Sequence, residues 1–221
     1  MTGRPVPWAP DEVAALRVQA KKLLRQRLRT LREQVPPALH RQHCAAMTAR
    51  VLALPAWAAA ETVALYITFG DEFDTTGLIA AARAAGKRVV LPRAREAGPM
   101  VFHAMWGADG AELPRERSAF GVETPREDAP VVAPEEIDLV LVPALAVDDR
   151  GHRIGYGRAH YDQTLPLLQR AVRVAAVFAF QRLVEVPDEP HDATVGVVVT
   201  EHETLEAAPE PRLAAPETES K

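Results

Sequence analysis

A loop rich in glycine and arginine follows a short apolar stretch and precedes a region of helical character. Residues 142–165 read VPALAVDDRGHRIGYGRAHYDQTL, and five of them could act on one anion: Gly151, Gly155, Gly157, Arg153 and Arg158. Glycines let the backbone approach an anion, free N–H groups at a helix N-terminus point at it, and arginines add charge-assisted hydrogen bonds. The arrangement of strand, glycine loop and helix start therefore indicates a phosphate site.

The loop differs from the common nucleotide-binding fingerprints. It is not a Walker A loop, because no Gly-Lys-Ser/Thr follows at the required spacing, and the GxGxxG pattern begun by Gly155 and Gly157 has His160 at its last position. A turn whose glycines only supply positive φ angles has the same composition. The spacing alone therefore leaves phosphate binding and a structural turn open.

The elements that must position this loop follow from the hydrophobic pattern. Short runs of β-forming residues, several of them continuously apolar as in strands buried on both faces, predict strands over 63–67, 89–91, 100–105, 139–142, 172–178 and 195–199. Helical stretches are predicted between them over 75–85 and 160–171. This alternation predicts an α/β fold, a single layered domain with a mainly parallel sheet flanked by helices.

The two ends of the chain are predicted to differ from the α/β domain, which is assigned to residues 11–204 and begins with a helical hairpin over 11–34 and 38–54. Residues 1–10 contain three prolines and are expected to form an extended arm. Residues 205–221, which consist largely of Pro, Ala and Glu, are expected to form a disordered tail. The first helix has a basic face and a row of apolar residues at spacings of three and four: Leu16, Ala20, Leu23, Leu24, Leu28 and Leu31.

The composition of the 221-residue chain narrows the classes of function. Its 48% of hydrophobic residues argues against global disorder, and the single Cys44 can form no internal disulfide. Because no apolar run is long enough for a membrane span or a signal peptide, we expect a cytoplasmic protein without a membrane partner. Residues 184–221, with ten acidic and two basic side chains, carry a net charge of −8, and the rest, with 24 basic and 20 acidic, carries +4. This balance disfavours a nucleic-acid partner but permits a local anion site.

Five short motifs in the same order resemble those of the 5-formyltetrahydrofolate cyclo-ligase family, also called 5,10-methenyltetrahydrofolate synthetases. The loop GHRIGYGRAHYD is similar to that family's signature G-x-R-L-G-x-G-x-G-[YH]-Y-D. The other similar motifs are KKLLR at 21–25, LY at 65–66 with EFDT at 72–75, LPR at 91–93, and Gln181 with HD at 191–192 and TE at 200–201. Their order and spacing hold from about residue 18 to residue 201, so together they are more specific than any one of them.

The resemblance implies a reaction in which MgATP closes 5-formyltetrahydrofolate to 5,10-methenyltetrahydrofolate and yields ADP and phosphate. The γ-phosphoryl group passes to the formyl oxygen, nitrogen-10 of the folate attacks the formyl carbon, and phosphate leaves. Such an enzyme holds two reactants together and neutralises phosphoryl charge, and it needs no covalent nucleophile. The implied ligands are ATP, Mg²⁺ and 5-formyltetrahydrofolate, with or without a polyglutamate tail, and we expect a monomer.

The resemblance also implies roles for single residues. Arg153, Arg158 and Tyr161 would be catalytic, and ATP would be bound by Lys21, Arg25, Arg153, Gly155, Gly157, Arg158 and Tyr161. Folate would contact Ile67, Glu72, Tyr156 and His160, and magnesium would be held by Asp162 and Asp192. Phe120 falls where the family often carries an aromatic residue near the nucleotide. A solvated helix face, a surface loop or a turn would account for the charged residues equally well outside this context.

Four residues depart from the family's pattern. Ala159 replaces the third loop glycine, where the backbone would need a positive φ, Gln163 stands where many members have Arg, Thr124 replaces a common Glu, and Gly196 replaces a common Asp. Ala159 and Gly196 leave open a non-catalytic module of the same fold that binds folate or a nucleotide. Architecture alone also leaves open an enzyme similar to phosphosugar isomerases or CoA transferases.

Overall fold

The structure, a computed structural model, describes residues 9–118 and 121–208. Residues 1–8 of the predicted arm, Phe120 and residues 209–221 of the predicted tail lie outside the described residues. The α-helices are α1 (Pro10–Glu33), α2 (Pro37–Leu52), α3 (Pro55–Ala59), α4 (Thr76–Ala84) and α5 (His160–Thr164). The strands are β1 (Thr62–Ala64), β2 (Arg88–Arg93), β3 (Val101–Ala104), β4 (Arg115–Arg117), β5 (Glu123–Pro125), β6 (Val131–Val132), β7 (Leu139–Leu141), β8 (Ala146–Val147), β9 (Arg153–Ile154), β10 (Val172–Ala176), β11 (Val197–Val199) and β12 (Thr204–Glu206).

An eight-stranded sheet of order β12-β11-β10-β7-β1-β2-β3-β6 forms the centre of the fold. The five strands from β11 to β2 pair in parallel, and the pairs at both edges are antiparallel. Alternate residues of the parallel strands enter two separate clusters: Leu139 and Leu141 pack on one face, and Val140 and Val142 on the other. Burial on both faces explains the continuously apolar runs, and the predicted α/β fold with a mainly parallel sheet is confirmed.

The two N-terminal helices bury side chains in different clusters. Cys44, Met47 and Val51 of α2 join the core beneath one face of the sheet, whereas Leu28 of α1 packs with a third cluster around Ile154. The predicted helical hairpin is therefore two consecutive helices that pack against different parts of the fold. Among the described helices, none combines the length and the apolar character that crossing a membrane requires.

The helix α1 buries only part of its apolar row, together with two cations. Leu16 and Leu23 stay 47% and 59% exposed, whereas Lys21 and Arg32 are only 5% and 4% exposed. The two cations are buried because carboxylates from distant segments meet them there. The hydrophobic spacing thus predicted the helix correctly, and its buried face combines Leu28 from the apolar row with two cations from the basic face.

Several predicted boundaries also change, and two of them concern the ends of elements that follow the glycine loop. The helix predicted over 160–171 ends at Thr164 and continues only as a 3-10 turn over Leu165–Leu167, because Pro166 lacks an N–H and its ring would clash with the carbonyl group of residue 162. At the other end, β12 pairs antiparallel with β11, so the ordered chain extends past the predicted tail boundary at residue 205.

Candidate functional site

A cavity of about 1270 Å³ lies at the carboxyl ends of β1, β2 and β7, where ligands commonly bind parallel α/β sheets. Its lining contains all thirteen residues to which the family resemblance assigned a role: Lys21, Arg25, Ile67, Glu72, Arg153, Gly155, Tyr156, Gly157, Arg158, His160, Tyr161, Asp162 and Asp192. Gly151 lies outside the lining. They come from α1, from the loop after β1, from the glycine loop with α5, and from the loop before β11. The fold therefore brings together residues that are up to 171 positions apart.

The glycine loop is fixed by positions that exclude a side chain. Gly151 has a φ of +83°, and a Cβ atom there would overlap the backbone carbonyl oxygen of Val195. Gly157 has a φ of +86°, and its Cβ would lie 3.2 Å from the Arg25 guanidinium carbon. Gly151 thus closes the turn between β8 and β9, and Gly157 lets the α1 arginine lie against the loop backbone.

Helix α1 lines the cavity with four cations, and the two that were predicted, Lys21 and Arg25, both have partners. The Arg25 Nε donates to the Gly155 carbonyl oxygen at 2.9 Å, which ties the helix to the loop. The Lys21 Nζ donates to Glu189 Oε2 at 2.7 Å and to Asp192 Oδ2 at 2.6 Å. Burial acts to lower the pKa of Lys21, but these hydrogen bonds outweigh it and raise the pKa above 10.5. The Lys21 ammonium is therefore charged at neutral pH.

Arg153 forms a buried ion pair within the loop. Its Nη2 donates to Asp162 Oδ1 at 2.7 Å, and the same oxygen accepts from the Ala193 N–H at 3.2 Å. The Arg153 side chain is 3% exposed, and its Nε has no hydrogen-bond partner among the described residues. Burial lowers the pKa of Arg153, although a guanidinium keeps its charge in proteins. A buried N–H without a partner is an unsatisfied hydrogen-bond donor, which is rare in folded proteins.

Burial shifts the pKa values of several acidic and aromatic side chains of the cavity. Glu72 is 7% exposed, its Oε2 accepts from the Phe69 N–H at 3.0 Å, and burial raises its pKa above 4.5. Burial also raises the pKa values of the Tyr156 and Tyr161 phenols, so both stay neutral. For His160, burial and the nearby Arg158 lower the pKa below 6.5, so this imidazole is neutral at pH 7.

The carboxylates that the sequence assigns to magnesium fit a hard cation. Arg153 occupies Oδ1 of Asp162, and Lys21 occupies Oδ2 of Asp192, so each carboxylate is engaged through one oxygen by a cation. Glu189, His191 and Asp192 also place ligand atoms within 4.8 Å of one another. Mg²⁺ commonly takes one or two carboxylates and completes its shell with phosphate and water oxygens, so this donor set suits it.

Three residues at this site were not predicted. Glu189 pairs with Lys21, and Arg32 pairs with Asp71 at 2.7 Å. A signal for Arg32 exists in the sequence, since Lys21, Arg25, Leu28 and Arg32 recur at helical spacing and form one face. No local pattern marks Glu189 or Asp71 as the partner of a cation so far away in the chain.

Ala159 lies between Arg158 and His160 with a φ of +55°, and it is the one non-glycine residue with a positive φ among those described. An L-residue in this region is strained by roughly 1–2 kcal/mol. We expect Ala159→Gly to raise the free energy of unfolding by about 1 kcal/mol, measured by chemical denaturation. Ala53, with a φ of −82°, provides the control: Ala53→Gly should lower the same quantity by about 0.5–1 kcal/mol. A lower stability of Ala159→Gly would contradict the expected strain.

Comparison with known proteins gives one consistent picture. A model of the 5-formyltetrahydrofolate cyclo-ligase family matches residues 17–201. A 5-formyltetrahydrofolate cyclo-ligase of Mycolicibacterium smegmatis is 34% identical over 187 residues, which cover 82% of this chain and 94% of that protein. The Escherichia coli K12 enzyme of the same name is 32% identical and covers 80% and 96%. The solved structure of Aquifex aeolicus 5,10-methenyltetrahydrofolate synthetase, at 24% identity, superposes with a TM-score of 0.74 over 90% of this chain and 99% of that one.

Proposed function

The chain belongs to the 5-formyltetrahydrofolate cyclo-ligase family, and we propose that the residues lining its cavity perform the family's reaction. The protein is a ligase that cyclises 5-formyltetrahydrofolate to 5,10-methenyltetrahydrofolate at the expense of ATP. The chemistry requires the γ-phosphoryl group and the formyl oxygen to meet, with the negative charge of the phosphates neutralised.

One observation carries this assignment of the site: the four cations assigned to ATP and the buried carboxylate assigned to folate line a single cavity large enough for two reactants. A site for one small ligand usually measures about 300–1,000 Å³, and this cavity measures about 1270 Å³. Lys21, Arg25, Arg153 and Arg158 supply the positive charge, and Glu72 supplies the carboxylate. The cations suit a triphosphate, and Glu72 suits the N–H edge of a pterin.

On the nucleotide side, the glycine loop and α1 would bind the phosphates together. Gly155 and Gly157 let backbone N–H groups approach, while Arg153 and Arg158 face the group being transferred. The unpartnered Arg153 Nε supports a role in neutralising charge on that group. The Tyr161 ring lies 5.8 Å from the Arg153 guanidinium carbon and would act as a neutral hydrogen-bond donor.

We propose Asp162 and Asp192 as the residues that would hold Mg²⁺, because their oxygens suit a hard cation. When bound, the ion would neutralise phosphate charge. Lys21 pairs with Asp192, and its ammonium would lie between this carboxylate and the phosphates of ATP.

On the folate side, Ile67 would contact the ring system, and Glu72, Tyr156 and His160 would supply polar contacts. The substrate ends in glutamate carboxylates. The exposed Arg95 and Arg117 line the same cavity and could pair with a longer glutamyl tail, so we infer that polyglutamylated folate is accepted. The monomeric state, the cytoplasmic location and the lack of nucleic-acid and membrane partners stay predictions from the sequence.

The ionisation of Glu72 should determine how kcat/KM for the folate falls at low pH. Only its carboxylate form can accept two N–H bonds from a pterin, and burial raises its pKa above 4.5, so kcat/KM for the folate should fall as the pH drops through that raised pKa. Glu72→Gln should lower kcat/KM roughly 30-fold, the value of one hydrogen bond to a charged group, and should remove this acid limb. The pH profile of initial rates measures both. Glu61→Gln, which alters an exposed residue outside the cavity, should leave the profile unchanged, and an intact acid limb in Glu72→Gln would refute the assignment.

The assigned site is tested by following methenyltetrahydrofolate through its near-ultraviolet absorbance. Purified protein with 5-formyltetrahydrofolate and MgATP should form the product, and omission of ATP or chelation of Mg²⁺ should stop it. Absence of product at high enzyme concentration would overturn the proposal. Product formation without ATP would contradict the nucleotide assignments.

A further inference from the structure

Arg32, in the last turn of α1, is a buried cation that joins three distant segments. Its Nε and Nη2 donate to Asp71 Oδ1 at 2.9 and 2.7 Å, and Nη2 also donates to the Tyr156 hydroxyl at 2.8 Å. The Arg32 side chain is 5% exposed. A buried arginine with these partners connects the helix, the acidic turn after β1 and the glycine loop.

These contacts fix the direction of the next hydrogen bond. A guanidinium has no acceptor, so the Tyr156 oxygen must accept from Arg32, and its own O–H is left to donate elsewhere. Burial and the nearby Glu72 carboxylate raise the pKa of the Tyr156 phenol, so Glu72 lies close enough to be the acceptor to which we assign that O–H. Glu72 also accepts from the Phe69 N–H, and the His40 Nε2 lies 3.2 and 3.0 Å from the carbonyl oxygens of Asp71 and Glu72.

A competing acceptor lies beside this chain of hydrogen bonds. Asp71 Oδ2 is buried and has no hydrogen-bond partner among the described residues. Without Arg32, the Tyr156 hydroxyl could turn towards Asp71, and the adjacent carboxylates of Asp71 and Glu72 would lose the cation between them. The Glu72 side chain would then lose its partner in the cavity.

We propose that Arg32 is a positioning residue for folate binding, which orients the Tyr156 hydroxyl so that it holds Glu72 in the geometry that binds the pterin. The inference rests on the proposed function of Glu72 and Tyr156. It concerns the folate half of the cavity alone, because Arg32 makes its contacts with Asp71 and Tyr156 and not with the cations assigned to ATP.

A double-mutant cycle in the full-length enzyme tests the inference. Arg32→Met should raise KM for 5-formyltetrahydrofolate about tenfold while KM for ATP changes less than about twofold. In the Tyr156→Phe background, the same substitution should change KM for the folate less than about twofold, because the linking hydroxyl is already absent. Arg32→Lys, which keeps the charge but not the fork of donors, should give an intermediate KM.

The controls separate positioning from a general loss of structure. Arg27→Met changes an exposed arginine on the same helix and should leave both KM values unchanged. The inference would be overturned if the fold-changes in KM for the folate caused by Arg32→Met and Tyr156→Phe multiply in the double variant. An equal rise in KM for ATP would also overturn it. If Arg32→Met does not fold, Arg32→Lys completes the cycle with the same criterion of non-additivity.

The same double-mutant cycle can be measured as changes in the affinity for 5-formyltetrahydrofolate, which calorimetric titration gives without any turnover. A wild-type protein that binds this folate but forms no product would refute the proposed function, and non-additive losses of affinity would still support the role of Arg32. A wild-type protein that forms product, with additive losses in the variants, would refute the role of Arg32 alone. A wild-type protein that does not bind the folate would overturn both.

Discussion

Replacing Arg153 with alanine should lower kcat roughly 10³-fold, the upper range for loss of one charge-stabilising donor. The reason is its place in the cavity: the guanidinium is buried, one nitrogen holds Asp162 and the Nε is left without a partner. Charge that develops on the transferred phosphoryl group would meet this preorganised cation. Steady-state rates of methenyl product formation at saturating substrates measure the loss.

The fold should survive this change well enough to be tested. Asp162 would still accept the hydrogen bond from the Ala193 N–H, and its side chain is 19% exposed. Its charge would therefore not be left unpaired in an apolar core. Circular dichroism and thermal melting monitor the fold. Arg170→Ala, which alters an arginine with a 69% exposed side chain outside the cavity, should retain kcat within about twofold. A normal kcat in folded Arg153→Ala would refute the role of Arg153.

Lys21→Met should raise KM for ATP roughly 100-fold, because it both deletes a cation and exposes ATP to two carboxylates. Glu189 and Asp192 now share the Lys21 ammonium at 2.7 and 2.6 Å. Without that ammonium, their charges would face the triphosphate and repel it. KM for 5-formyltetrahydrofolate should change less than about threefold. Initial rates with ATP varied at fixed folate give the KM values.

The next residue in the chain provides the matched control. Lys22 has the same side chain but is exposed and does not line the cavity, so Lys22→Met should leave KM for ATP unchanged. Adding Glu189→Gln to Lys21→Met should recover part of the affinity for ATP, because it removes one repelling charge. Equal effects of the Lys21 and Lys22 substitutions would show that the buried contacts of Lys21 do not matter for the nucleotide.

The parallel sheet was predictable because its strands carry their own signal. Residues 139–142 are continuously apolar, and the structure buries the two faces of β7 in two clusters. The short strands β4, β5, β8 and β9 have no such signal, because they are ribbons of two or three residues each outside the main sheet. The end of α5 differs from the prediction for another reason, since Pro166 interrupts residues 160–171, whose composition is otherwise typical of a helix.

The sequence by itself determined the class of fold, the glycine loop and, through the order of its motifs, the family. These features are local, because a glycine with positive φ, a helix period or a short motif is complete within a few residues. Only the tertiary structure decided which face of α1 is buried and which carboxylates neutralise Lys21 and Arg32. Those partners are up to 171 residues apart in the chain. An ion pair across such a distance depends on how the elements pack and leaves no pattern in either segment.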